Sequence, residues 1–102
     1  MSITSITGIA LSGMNAQTNR LAAVANNIAN ADTPDYRRQT VTPISTSDPA
    51  GVKTTTTSDP EGVDLATEML DLTEAAMSYK ANAAVFEAGA DLWDVLAVIK
   101  RD

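Results

Sequence analysis

The sequence predicts a mainly α fold, with long N- and C-terminal helices packed as an antiparallel coiled-coil hairpin around a short β-hairpin or flexible insert. Three observations carry this reading. Apolar residues repeat in alternating steps of four and three from Leu65 to Ala97, apolar residues at helical spacing run through residues 3–31, and the stretch between is rich in Thr, Ser, Asp, Pro and Gly. The chain therefore divides into an N-terminal helix over 1–32, a turn-rich insert over 33–62 and a C-terminal heptad helix over 63–102.

In the first segment Ile3, Ile6 and Ala10 give way to Met14, Gln17, Leu21, Val24, Ile28 and Ala31, a spacing that lays one apolar stripe along a helix. Ser2 and Ser5 are candidate N-caps. Residues 2–31 carry a single charged side chain, Arg20, and the opposite face holds Asn15, Asn19, Asn26 and Asn30 interleaved with Ala22 and Ala29. Surface helices usually place charge on such a face. Amides and small side chains instead allow close approach and offer hydrogen bonds without the desolvation cost of ions, which suggests a second contact surface. Thr33 precedes Pro34 and is steered out of the helical region, so the helix is expected to end near Ala31.

In the insert, Gln39–Thr42 and Val52–Thr56 are β-prone, and Pro43 would confine its strand to an edge. A short repeat, TSDPAGV at 46–52 and TSDPEGV at 57–63, places Asp, Pro and Gly at the first, second and fourth positions of type I turns. The second copy also offers Asp59 as a helix cap with Pro60 at the first helical position.

The C-terminal seam consists of Leu65, Met69, Leu72, Ala76, Tyr79, Ala83, Phe86, Ala90, Trp93 and Ala97. One row is large (Leu65, Leu72, Tyr79, Phe86, Trp93) and the other nearly all alanine, a pattern for interdigitating helices. Glu61, Asp64 and Glu68 near the start, and Lys100 and Arg101 at the end, match the helix dipole. Leu70, Met77, Val85, Leu92, Leu96 and Ile99 lie off the seam, more apolar surface than one partner helix can cover, so a homo- or hetero-oligomer is expected.

Composition narrows the function. The chain has no cysteine and no histidine, which removes disulfides, thiolate metal sites and the usual general base. Its net charge is −6: residues 1–50 balance, whereas residues 51–102 hold ten acids against four bases. That acidity disfavours nucleic acid and anionic lipid as partners. No membrane span and no cleavable secretion signal are expected. Glu68, Asp71 and Glu74, with Asp91 and Asp94, are better read as a solvated acidic face than as a cation site. Lacking a nucleophile elbow or phosphate loop as well, the chain is expected to be neither an enzyme nor a cofactor-binding protein.

The segment ALSGMNAQTNRLAAVANNIANADTPDYRR (10–38) resembles the N-terminal signature of the flagellar basal-body rod, hook and hook-associated family, an Asn-rich helix end running into Asn-x-x-Thr-Pro-Gly-Tyr. Asn26, Asn27, Ile28, Asn30, Thr33, Pro34 and Tyr36 match it, and Asp35 stands where the family usually has glycine. VDLATEML and SYKANAAVFEAGADLWDVLAVIK are similar to the family's C-terminal helix, with Tyr79, Ala81 and Asn82 in its Tyr-x-Ala-Asn run. The short insert and the Val63-Asp64-Leu65 opening look most like the proximal-rod members. The resemblance implies a structural axial subunit that leaves through the flagellar type III export apparatus and assembles in the periplasm, into the basal body. Its partners would be other rod subunits and export components, met through the C-terminal seam and through Met14, Leu21, Val24 and Ile28. The alternative is a soluble helical adaptor or assembly factor that uses the same seam to hold a rod or export component.

Overall fold

The computed structural model describes residues 2–101. Helix α1 (Ile3–Ala29) leads into strands β1 (Gln39–Ser47) and β2 (Ala50–Ser58), and helix α2 (Leu65–Arg101) closes the chain. The insert is therefore an antiparallel β-hairpin. The two helices are antiparallel: Thr7 of α1 lies against Gly89 of α2, Gly13 against Asn82, Arg20 beside Asp71, and Asn27 beside Glu68. The molecule is a rod of 66 × 25 × 14 Å with a radius of gyration of 17.5 Å, against about 13 Å for a compact domain of this size. By this register α2 runs past the start of α1 from about Asp94 onward.

Local chemistry accounts for the helix ends. Ser2 caps α1, its hydroxyl accepting from the Ser5 N–H at 3.1 Å. At the other end Asn30 takes the C-cap, its backbone and side-chain N–H groups both donating to the Asn26 carbonyl. Helix α2 starts later than its Asp59-Pro60 sequence suggests. Asp64 is the cap: its carboxylate accepts from the Ala66 N–H and the Thr67 hydroxyl, each at 3.1 Å. Asp59 instead extends the hairpin, donating its N–H to the Arg38 carbonyl at 2.7 Å.

The hairpin register pairs Gln39 with Ser58 through Ser47 with Ala50, leaving Asp48-Pro49, a cis peptide, as a two-residue loop. The first turn is thus one residue earlier than the type I reading, with Pro49 in the third position rather than the second, where a cis proline belongs. Pro43 occupies an edge, as its chemistry requires. Antiparallel ladders alternate the direction of successive backbone groups, and Gln39 turns its N–H and C=O away from β2 toward Asn27. Pro43, four residues on, shares that outward side, so its missing donor costs the ladder nothing.

The packed interior contains small and polar side chains. Ala10, Ala16, Ala23, Val24 and Ala75 are buried, and the two largest fully buried side chains are Glu68 and Asn27. Small residues let the helices approach closely. A β-carbon built at Gly89 would come within 2.5 Å of Thr7 Cγ2, and one at Gly13 within 2.6 Å of Asn82 Oδ1. We expect Gly89→Ala to destabilise the chain by about 1–2 kcal/mol although alanine is the better helix former. Gly8→Ala, with nothing within 4 Å, should stabilise it by up to about 1 kcal/mol. Denaturant titrations followed by circular dichroism compare the two.

Candidate functional site

The stripe of α2 that meets α1 differs from the heptad seam. Glu68, Ala75 and Gly89 are buried against α1, with Asp71, Ser78 and Asn82 partly buried between them. Each lies one residue before a seam position or close to it, a rotation of about 100° around the helix. The seam consequently faces outward. Met69 is 62% exposed and Trp93 57%, while Leu72, Tyr79 and Phe86 are near 40%. Leu65, Ala90 and Ala97 are exposed, and Ala76 and Ala83 are partly covered. On α1, Val24 is buried inside the chain, while Met14, Leu21 and Ile28 are half-buried. Off the seam, Leu70, Met77, Leu92, Val95, Val98 and Ile99 are more than half exposed. No described helix is long and apolar enough to cross a membrane.

The residues of the amide-rich motif have distinct places. Asn27 is fully buried and uses its whole hydrogen-bonding capacity. Its Nδ2 donates to the Gln39 carbonyl at 2.9 Å and to Glu68 Oε2 at 3.2 Å. Its Oδ1 accepts from the Gln39 N–H at 2.8 Å and from the Tyr36 hydroxyl at 3.2 Å. One side chain thus ties α1 to the first strand, to the loop before it and to α2. Asn30 caps the helix and its Oδ1 accepts from the Thr33 hydroxyl. Asn26 and Pro34 are exposed, as are Asn15 and Asn19, although Asn19 reaches the hairpin by donating to Thr54 Oγ1 at 2.7 Å.

The turn from Thr33 to Tyr36 aims the tyrosine. The Tyr36 N–H donates to the Thr33 carbonyl, Pro34 is second in the turn, and Asp35 is third with φ 62°. Proline second and a positive φ third is the type II pattern, for which glycine is the natural third residue.

Glu68 is fully buried, which corrects its reading as part of a solvated acidic face. Arg38 Nε donates to Glu68 Oε1, Arg38 Nη2 to Asp71 Oδ2 at 3.0 Å, and Arg38 Nη1 to Thr40 Oγ1 at 3.1 Å. The Thr40 hydroxyl in turn donates to Asp59 Oδ2. Arg20 bridges Asp71 and Glu74 from α1 at 3.3 and 3.4 Å. Two arginines thus meet four carboxylates, and of the acids of α2 Glu68 and Asp71 are engaged in holding the fold, while Glu87, Asp91 and Asp94 are exposed. Glu74 is largely solvated and adds little. The Arg38 guanidinium is held above its ordinary pKa by its hydrogen bond to Glu68, against the effect of burial, with the charges of Glu68, Asp71 and Asp59 adding to the rise. It therefore stays cationic at any pH below strong alkali, and the part of its stabilisation that depends on its own charge is present throughout that range and lost only as pH rises through its raised pKa.

Sequence reasoning missed this cluster, because Arg38 lies 30 residues from Glu68 and 33 from Asp71. The signal present was the coincidence of Arg20 and Arg38 in a charge-poor half with acids at 68, 71 and 74 in the other.

A family model described as flagella basal body rod protein matches residues 9–37. Over 88 residues the chain is 35% identical to the flagellar hook protein FlgE of Brucella suis biovar 1 (strain 1330), a match covering 84% of this chain and 21% of that protein. The chain spans about a fifth of the length of this relative. The segment 9–37 takes in Asn27, the Asn30 cap and the Thr33–Tyr36 turn, so the matched region contains the hub of the fold.

Arg38→Met should cost about 3–5 kcal/mol, because it strands the buried Glu68 charge, and adding Glu68→Gln should recover part of the loss. A double-mutant cycle in urea measures both. Asp35→Gly should be neutral or stabilising by up to about 1 kcal/mol, whereas Asp35→Val should destabilise by about 1–2 kcal/mol, readable as shifts in Tm. Together, the two matches show that this chain is similar to proteins of the flagellar rod and hook.

Proposed function

We propose that the chain is a structural axial subunit of the bacterial flagellar basal-body rod, assembling through coiled-coil packing of its terminal helices. The observation that carries this reading is the outward seam of α2. A chain that folds with Leu65, Met69, Leu72, Tyr79, Phe86 and Trp93 between 38% and 62% exposed on one face has kept its best packing surface for other subunits. Met14, Leu21 and Ile28 on α1 are the half-buried residues that neighbouring subunits would complete. The match of residues 9–37 to a rod-protein family is the reason for naming the rod, while the hook-protein relative fits an axial role equally. On this reading the chain is handled by the flagellar export apparatus, passes through it to the periplasm, and is fixed there by contact with other rod subunits.

Tagged protein should co-purify with basal bodies, and deleting residues 3–29 should abolish that association. Absence of the intact protein from wild-type basal bodies, or its retention in the cytoplasm of export-competent cells, overturns the proposal. Because Phe86 is already 38% exposed, Phe86→Ala should cost the isolated chain less than the roughly 3–5 kcal/mol of a core phenylalanine, yet markedly reduce incorporation.

A further inference from the structure

We infer that, before any polymer forms, the chain closes its exposed seam on a second copy of itself, as an antiparallel two-fold pair of α2 helices. The inference rests on the seam and not on the rod assignment.

The seam is self-complementary in only one direction. In an antiparallel pair centred on position 81, Tyr79 of one copy faces Ala83 of the other, Phe86 faces Ala76, and Leu72 faces Ala90, so large meets small in these layers, and only Trp93 against Met69 sets large on large. The same centre matches Leu65 with Ala97, so the whole length from 65 to 97 is covered with no overhang. A parallel pair would instead set Phe86 on Phe86 and Trp93 on Trp93, alternating with layers of facing alanines. No single interhelical distance fits both kinds of layer, whereas eight of the ten antiparallel layers pair one large side chain with one alanine and the remaining two pair Trp93 with Met69. Sliding the pair by a heptad would expose large residues at both ends.

The surroundings leave room for the partner. Helix α1 occupies the Glu68–Ala75–Gly89 stripe, about 100° away around α2, so a helix laid on the seam approaches from a different side. The seam residues at their observed exposures present on the order of 700 Å² per copy, close to the roughly 800 Å² per partner of a standard specific interface. Such a pair is closed. With both seams covered, neither copy has that face left for a third chain.

The purified full chain at micromolar concentration tests this by light scattering and pulsed dipolar spectroscopy. The expected mass is twice that of the chain. A monomer, or a ladder of larger species, overturns the inference. Because the chain has no cysteine, Lys100→Cys gives a single spin-label site. Labels should lie roughly 55–60 Å apart in the antiparallel pair. A separation below about 20 Å would mean a parallel pair and overturns it. Ala90 is exposed in the single chain, so Ala90→Glu should leave helicity unchanged while weakening the pair at least tenfold. An unweakened Ala90→Glu dimer would place the interface elsewhere and overturns the seam assignment. Basal-body association is read separately, so either proposal can fail alone.

Discussion

The side-chain amide of Asn27 has two donors and two acceptor positions, and in this fold all four are used. A buried amide with any of these unmet would cost about 1–3 kcal/mol, so the arrangement that satisfies all of them is strongly selected over near alternatives. It fixes three things together: the start of β1, the position of Tyr36 and the neighbour on α2. Glu68 continues the network to Arg38, which holds the base of the hairpin through Thr40 and Asp71. The interior is specified by hydrogen-bond geometry more than by volume, which suits a chain whose buried apolar residues are four alanines and one valine.

That interior follows from how closely the helices approach. Gly13 and Gly89 permit contacts that a β-carbon would block, and the stripe between them is built from alanine, serine and asparagine. Bulky side chains in that stripe would force the helices apart and pull Glu68 away from both Asn27 and Arg38. The large apolar residues are therefore displaced to the next face of α2. The division is physical: the small stripe brings the chain's own helices together, and the large stripe is left exposed.

The Thr33–Tyr36 turn links local chemistry to this arrangement. Asn30 caps the helix, Pro34 and the positive φ at Asp35 reverse the chain, and the reversal delivers the Tyr36 hydroxyl to Asn27. The rod-family match ends at Arg37, just past this turn and one residue before Arg38. What the family model recognises in this chain is therefore the helix and turn that build one side of the polar hub.

The sequence by itself determined the two helices, the edge position of Pro43, the Ser2 cap and the excess of apolar surface. Each depends on spacing or on the chemistry of adjacent residues. Only the tertiary structure decided which face of α2 meets α1, because periodicity ranks faces by hydrophobicity and the chosen face is small and polar. It likewise decided that Asp64 rather than Asp59 caps α2. Asp59 can cap a helix or extend a strand equally well in local terms, and the bond to Arg38 settles the matter. Glu68 reads as a surface acid until its guanidinium partner arrives from 30 positions away, since an ion pair across that separation leaves no periodic trace.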